Sequence, residues 1–204
     1  MSRMDATLLA VLHRLLADAL PRHGAELHAY ALGRSRAVLL LTPRTDEALG
    51  RLVQDVSRRL AVHVRRTGGP TGPLLAGRFR SAILQPEPHL LDAMQFVEQL
   101  ALREGQAAIA SEWTSAGAHC GGAADPLLTD HAGYWSTGNT PFEREARHRQ
   151  RLAEPLAPQV QRRFESALNG GWPIGEDAFL QTLGARLARP VVPRRPGRPR
   201  SEDR

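Results

Sequence analysis

Residues 26–42, with the sequence ELHAYALGRSRAVLLLT, contain two short apolar runs separated by the turn Gly33-Arg34-Ser35. The first run covers residues 26–32 and the second covers residues 36–42, and each has the length of a typical β-strand. Two such runs joined by a short turn pair in antiparallel fashion. The sequence therefore predicts a β-hairpin here, around which the neighbouring elements are arranged.

Helical periodicity flanks this hairpin on both sides. Residues 6–20 carry leucines at helical spacing, and Pro21 and Gly24 are expected to stop that helix. Residues 46–66 place four apolar side chains on one face and arginines mostly elsewhere. The sequence predicts two helices, the second with a basic outer side. The apolar positions are Leu8, Leu9, Leu12, Leu15, Leu16 and Leu20 in the first helix and Leu49, Val53, Val56 and Leu60 in the second.

Further along the chain, a Gly/Pro loop at 67–77 precedes a predicted strand at 78–84 and a helix that opens near Pro88 and closes at Gly105. We expect residues 106–140 to be irregular. Helical patterns return at 141–153, 157–169 and 175–188, and the Pro/Arg tail at 190–204 is expected to be disordered. These elements predict an α+β domain over 1–120, an irregular linker with a helical extension over 121–189, and the tail over 190–204.

The charge balance favours an acidic partner. All 27 basic residues are arginine, the net charge is +6 and the isoelectric point is near 11.0. Arginine forks suit phosphate, so nucleic acid is the first partner to consider, although a GC-rich genome that writes Arg for Lys would give the same composition. No apolar run is long enough to span a bilayer and the start lacks a signal-peptide pattern, so we expect a cytoplasmic protein with no membrane partner.

The sequence offers little for metal binding or redox chemistry. Cys120 is the one cysteine, which excludes an internal disulfide, and we interpret it as an incidental thiol. The eight histidines include no His-x-His pair. His28 and Glu26 share a strand face but lack an evident third ligand. No metal site is predicted.

Several short motifs, in order along the chain, resemble those of the REP-associated tyrosine transposases of the HUH class. The resemblance covers the chain from about residue 8 to its end, and it depends on the order of the motifs rather than on any one of them. The matching stretches are Ala29-Tyr30-Ala31-Leu32 with Leu39-Leu40-Leu41-Thr42-Pro43, Gly77-Arg78-Phe79-Arg80-Ser81, Trp113-Thr114-Ser115, Gly121-Gly122, Asp125-Pro126-Leu127, Leu168-Asn169-Gly170 and Gly197-Arg198-Pro199-Arg200.

The resemblance implies a ferredoxin-like antiparallel sheet with helices on one face. The family's first strand, which is internal to that sheet, is missing here. Its loss would leave an opening between the hairpin and strand 78–84 that a partner chain, including a second copy in a homodimer, can fill by strand addition. A rearranged sheet, or a start codon placed too far downstream, would also account for the missing strand.

The same resemblance implies where catalytic groups should lie. In the family, two histidines on one strand bind a divalent metal with a polar residue from a helix, and a tyrosine on that helix attacks the phosphate. Here Arg36 and Val38 occupy the histidine positions, Phe96 the tyrosine position and Leu100 the position of the polar residue. We therefore expect no catalytic residues, loss of the family's divalent metal and no cofactor.

These substitutions favour a transposase-related protein that binds single-stranded or hairpin DNA without cutting it. Arg36 places a cation where the metal would face a phosphate; the alternative is that it merely points to solvent. The tail resembles an AT-hook, except that Pro196 precedes Gly197 where arginine is usual, so nonspecific phosphate attraction is the alternative. An active transposase with an unrecognised nucleophile and a decayed protein without a role also stay open. The candidate DNA-binding residues are Arg34, Arg36, Arg78, Arg80, Arg194, Arg195, Arg198 and Arg200.

Overall fold

A computed structural model describes residues 4–69, 77–105, 109, 111–187 and 190–192. The described part combines helices with one two-stranded antiparallel sheet, which confirms the α+β class. The elements in chain order are α1 (Ala6–His23), β1 (Ala25–Leu32), β2 (Ala37–Pro43), α2 (Ala48–Arg66), α3 (Pro86–Glu98), α4 (Leu100–Arg103), α5 (Ala116–His119), α6 (Ala132–Trp135), α7 (Pro141–Ala153), α8 (Pro158–Gly170) and α9 (Asp177–Leu187).

The β-hairpin is confirmed to within one residue at each end. The ladder runs from the pair Ala25 and Pro43 to the pair Leu32 and Ala37, with a bulge between Leu27 and Ala29. The bulge falls at His28, an extra residue in β1 that has no ladder partner in β2, and it interrupts the alternation of side chains along β1. After the bulge, the side chains of β1 again alternate between the two faces of the sheet.

Helices cover both faces of this sheet, so the prediction of helices on one face is wrong. Helices α1 and α2 pack on one face and α3 packs on the other. The reason lies in the strands, since their alternate positions are apolar on both sides and each side must be removed from water. The face toward α1 and α2 carries Leu27, Tyr30, Leu32, Leu39 and Leu41, and the face toward α3 carries Ala29, Ala31, Val38 and Leu40.

Helix α1 is capped at both ends, by Asp5 at its start and by Gly24 at its end. Asp5 Oδ1 accepts a hydrogen bond from the Leu8 amide at 2.9 Å at the start, and Gly24 takes the left-handed conformation at the end, with φ of 63°. Pro21 lies inside the last turn rather than stopping the helix. A glycine is needed at position 24 because side chains are strained at this φ.

Residues 78–84 do not form a strand of the sheet, so that prediction is wrong. The Ile174 amide donates to Ile83 O at 2.7 Å and the Gln85 amide donates to Ile174 O at 2.8 Å. This segment therefore pairs with the turn before α9 through an isolated bridge. Phe79 and Ile83 are exposed, whereas Ala82 and Leu84 pack against the apolar cluster around α3, so the segment lies on the core without joining the sheet.

The predicted irregular region covers the free edge of β1. The Leu32 amide donates to Trp113 O at 2.8 Å, and the Thr129 amide donates to Leu27 O at 2.8 Å. Residues on both sides of the proposed boundary at 120/121 thus contact the sheet directly, and the domain division stays a prediction. Except for the short helices α5 and α6, the described part of 106–140 is irregular as expected.

The remaining helices match the sequence patterns closely, with one difference. The helices predicted at 141–153, 157–169 and 175–188 correspond to α7, α8 and α9 within two residues at each end. The helix predicted from Pro88 to Gly105 is divided in two at Gln99. Among the described residues, no helix combines the length and apolar character that crossing a membrane requires.

Candidate functional site

The positions that the resemblance assigns to the catalytic groups lie together where α3 packs on the hairpin. Phe96 and Leu100 are fully buried in one apolar cluster, and Val38 of β2 packs against the same cluster. Arg36 precedes β2 and is exposed. Together with Arg103, these four residues form what we call the α3–hairpin face. Its three apolar side chains have no atom that can bind a metal or attack a phosphate.

An arginine covers the phenylalanine at the tyrosine position. The Phe96 ring stacks on Phe164, with 5.0 Å between centroids and 19° between planes. The guanidinium carbon of Arg103 lies 4.7 Å from the Phe96 centroid, and Nη2 donates to Phe96 O at 2.7 Å. Burial, together with the nearby charge of Arg36, lowers the pKa of Arg103, although a guanidinium stays charged at neutral pH. The Nε–H of Arg103 is buried without a hydrogen-bond partner in the described part of the chain.

The hairpin turn is held against α4 by one carboxylate. Glu104 Oε2 accepts from the Arg34 amide at 2.9 Å, and Glu104 Oε1 accepts from the Ser35 hydroxyl at 3.1 Å. Gly33 allows this approach, since a Cβ there would lie 2.5 Å from Glu104 Oε1. The turn is therefore fixed in place while the side chains of Arg34 and Arg36 stay exposed.

The other predicted DNA-binding arginines lie on different elements. Arg78 and Arg80 flank the exposed Phe79 ahead of α3, and Arg80 hydrogen-bonds to Asn169 Oδ1 of α8. The charge of Arg36 is close enough to act on Arg103, a residue that the sequence did not single out. Arg194, Arg195, Arg198 and Arg200, together with the AT-hook-like stretch, lie outside the described residues.

A second constellation, which the sequence did not predict, is buried at the end of α3. Glu98 has no exposed surface, and it accepts hydrogen bonds from three side chains: His119 Nδ1 at 2.5 Å, His148 Nε2 at 2.6 Å and Ser115 Oγ at 2.6 Å. Burial alone would raise the pKa of this carboxyl, but the bonds from His119 and His148 outweigh it and hold the pKa at about 2. Glu98 is therefore a buried, ionised carboxylate.

The three residues Glu98, His119 and His148 form what we call the Glu98 cluster, and together they can hold a metal ion. Each offers one ligand atom, and the three atoms lie within 4.8 Å of one another. The ligands come from α3, α5 and α7, at separations of 21 and 29 residues, so no spacing motif marks them. One signal was available in the sequence: Glu98 interrupts an apolar stretch that includes Val97 and Leu100, and a helix buried there must bury the carboxylate as well.

The surroundings of the Glu98 cluster are partly open and partly closed. His119 Nε2 is buried without a hydrogen-bond partner in the described part of the chain and lies 4.0 Å from Asp130 Oδ1. On the other side, an open cavity of about 740 Å³ has His148, Gln95 and Arg151 in its wall. Cys120 lies next to His119 in the chain and is buried, and burial raises the pKa of its thiol to about 11.

Both tyrosines are buried with their hydroxyls engaged. Tyr30 Oη donates to Asp125 Oδ2 at 2.7 Å, and Tyr134 Oη donates to His119 O at 3.2 Å. Burial raises the pKa of both phenols, to about 12 for Tyr134, so neither forms the nucleophilic phenolate readily. Neither hydroxyl is placed to meet a phosphate of bound DNA.

The chain matches no protein-family model, no curated protein and no solved structure. The resemblance to the transposase family therefore depends on the quoted motifs and stays a prediction.

Proposed function

We propose that the protein binds single-stranded or hairpin DNA without cutting it, as a catalytically inactive relative of the REP-associated tyrosine transposases. The observation that carries this proposal is the composition of the α3–hairpin face. Positions 38, 96 and 100 meet in space, as a strand-and-helix active site requires, but they meet as core side chains. Arg36 and Arg103 supply positive charge at the same place.

Phosphate fits the two arginines of this face. Arg36 is exposed, Arg103 has a buried Nε–H without a partner, and neither side chain forms an ion pair with a described residue. The exposed Arg36 guanidinium can donate to a phosphate oxygen, and charge-assisted bonds of this kind are the strong ones, while the charge of Arg103 adds to the positive potential behind it. Two cations replace the charge that a divalent metal supplies to the phosphate in the family, while no group is left to break the P–O bond.

An exposed aromatic ring favours single strands over duplex. Phe79 is 49% exposed and lies between Arg78 and Arg80. An aromatic ring that is flanked by cations suits an unpaired base, which stacks on the ring while the arginines contact its phosphates. In duplex DNA the base faces are already stacked on each other, so the ring would have nothing to contact.

Fluorescence anisotropy with labelled hairpin, linear single-stranded and duplex DNA of equal length tests this proposal. We expect tighter binding of the first two. Arg36→Glu should weaken binding at least ~10-fold and lower the salt dependence by about one phosphate contact. Phe79→Ala should weaken single-strand binding by ~5- to 150-fold. The matched control is Arg51→Glu on α2, whose side chain is 67% exposed and which lies on the opposite side of the sheet.

Three results would contradict the proposal. Equal effects of Arg36→Glu and Arg51→Glu would show that attraction to DNA is diffuse and that the α3–hairpin face is not its site. A wild-type protein that binds none of the three DNAs would be a decayed transposase. A covalent adduct with hairpin DNA in the presence of Mg²⁺ would identify an active transposase, and it would require a nucleophile other than the two buried tyrosines.

A further inference from the structure

We propose that the Glu98 cluster binds one divalent transition-metal ion, with zinc the best fit, and that this ion ties α3 to α5 and α7. The site is separate from the positions where the resemblance places a metal, since none of Arg36, Val38, Phe96 and Leu100 contributes to it. It is also independent of the proposed DNA binding. Failure of either proposal leaves the other standing.

The donor set is the first argument. Two imidazole nitrogens and a carboxylate oxygen are ligands that zinc prefers, and the combination of two histidines with one glutamate is a recurrent zinc set. Calcium and magnesium prefer all-oxygen sites, so they fit these residues less well. All three ligands are at least 97% buried, which is far more than a chance meeting of surface residues would give.

The geometry is close to what an ion needs. Zinc with ligands at 2.0–2.2 Å holds neighbouring ligand atoms about 3.3 Å apart. The Glu98 oxygens now lie 2.5 Å from His119 Nδ1 and 2.6 Å from His148 Nε2, and all three ligand atoms lie within 4.8 Å of one another. Side-chain rotations that move these ligand atoms apart by about 1 Å therefore make room for an ion and replace the direct hydrogen bonds with metal–ligand bonds. The helices that carry the ligands need not move.

Outer groups that orient metal ligands are already present. A metal-binding histidine usually donates its other N–H to a carboxylate. When Nδ1 of His119 binds the ion, its proton moves to Nε2, the buried nitrogen that now lacks a partner and lies 4.0 Å from Asp130 Oδ1. Ser115 Oγ holds Glu98 Oε1 at 2.6 Å from the other side. Once the ion is bound, His119 Nε2 thus carries the proton and faces the Asp130 carboxylate.

The cavity beside His148 brings solvent close to one ligand of the Glu98 cluster. It is open to solvent and has Gln95, His148 and Arg151 in its wall. An ion that enters it therefore meets His148 first, while Glu98 and His119 do not line it. A water molecule that enters the same way can complete four-coordinate geometry. Because the three protein ligands come from separate helices, the expected role of the ion is to stabilise the contact between them.

Titration of the EDTA-treated full chain with Co²⁺, followed by competition with Zn²⁺, tests the proposal. We expect one ion per chain, visible absorption of the kind that tetrahedral Co²⁺ gives, and a rise in Tm of about 5–10 °C at ~100 times the Kd. His119→Gln and His148→Gln keep an N–H that can reach Glu98, and each should weaken binding at least ~100-fold. The matched control is His89→Gln, which lies on α3 outside the Glu98 cluster and should bind as the wild type does.

X-ray absorption on the zinc-loaded wild type gives a result that does not depend on any variant folding. The expected spectrum has nitrogen and oxygen ligands at about 2.0–2.2 Å, with the scattering of two imidazoles. A wild-type chain that takes up no stoichiometric ion overturns the proposal. So does a spectrum without two imidazoles, or equal loss of binding in His89→Gln and the two cluster variants.

Discussion

Glu98→Ala is the substitution whose consequence the structure determines most directly. The carboxylate is fully buried and accepts hydrogen bonds from His119, His148 and Ser115. These partners lie on two stretches of chain, residues 115–119 and α7, so one side chain joins α3 to both. Its removal takes the buried acceptor from two imidazole N–H groups and from a hydroxyl, of which the Ser115 hydroxyl alone has another acceptor nearby in the described part of the chain, Tyr30 O at 3.4 Å.

The expected loss of stability is large. Each buried polar group that loses its partner costs about 1–3 kcal/mol, and removal of one member of a buried charged network typically costs 3–5 kcal/mol. We expect Glu98→Ala to lower the free energy of unfolding by about 3–5 kcal/mol, because the three donors that lose this acceptor can relax only in part. For a chain of this length, Tm should fall by roughly 6–20 °C.

Urea unfolding followed by circular dichroism measures this loss. EDTA should be present throughout, so that metal binding does not contribute to the difference. Glu47→Ala is the matched control, since its side chain is 70% exposed and forms only a surface ion pair with Arg51. That variant should change the free energy of unfolding by no more than about 0.5 kcal/mol. A loss below about 1 kcal/mol for Glu98→Ala would refute the description of Glu98 as a buried, fully used acceptor.

Two further predictions concern the core around β1 and α3. Phe96→Tyr places a hydroxyl where the resemblance expects a nucleophile, on a ring that is 2% exposed, so it should lower the free energy of unfolding by about 1–3 kcal/mol and form no covalent adduct with hairpin DNA and Mg²⁺. An adduct would contradict the proposal that the protein does not cut DNA. Burial lowers the pKa of His28, whose charged and titratable neighbours are His131, Glu26 and Asp130. The unfolded chain therefore binds a proton at His28 below pH 6.5 that the folded chain resists, so stability should fall as the pH drops below 6.5. In urea unfolding across pH 5–8, His28→Gln should flatten this dependence, and an unchanged slope would show that another group causes it.

Local patterns predicted much of the fold. The hairpin, α1, α2 and the last three helices follow from strand and helix periodicity over 7–20 residues. Each is confirmed within about two residues except the end of α1, which runs three residues past the predicted 6–20 and includes Pro21. Periodicity fails at residues 78–84, where the alternation Arg78-Phe79-Arg80 predicts a strand. An edge segment pairs with whichever backbone lies closest, and Ile174 lies closer than the sheet. Its sequence contains no information about that neighbour.

The candidate sites also combine features that the sequence shows with features that only the packing of the helices decides. The absence of catalytic groups at positions 36, 38, 96 and 100 is a matter of residue identity, which can be read without coordinates. The nearness of the Arg36 and Arg103 charges depends on α3 packing against β2, whereas Arg103 covers Phe96 from within the same α3–α4 segment. Residue identity is a local property, whereas the distance between two charges is decided by how the helices pack.

The Glu98 cluster depends most on the tertiary structure. Glu98 interrupts an apolar helix face, so its burial could be foreseen, and a buried carboxylate needs partners. Which partners it finds is a different matter, because His119 and His148 lie 21 and 50 residues further along the chain. Sequence separation says nothing about a contact that forms only when α5 and α7 close over the end of α3. The need for a partner is thus set by chemistry along the chain, and its identity is set by packing.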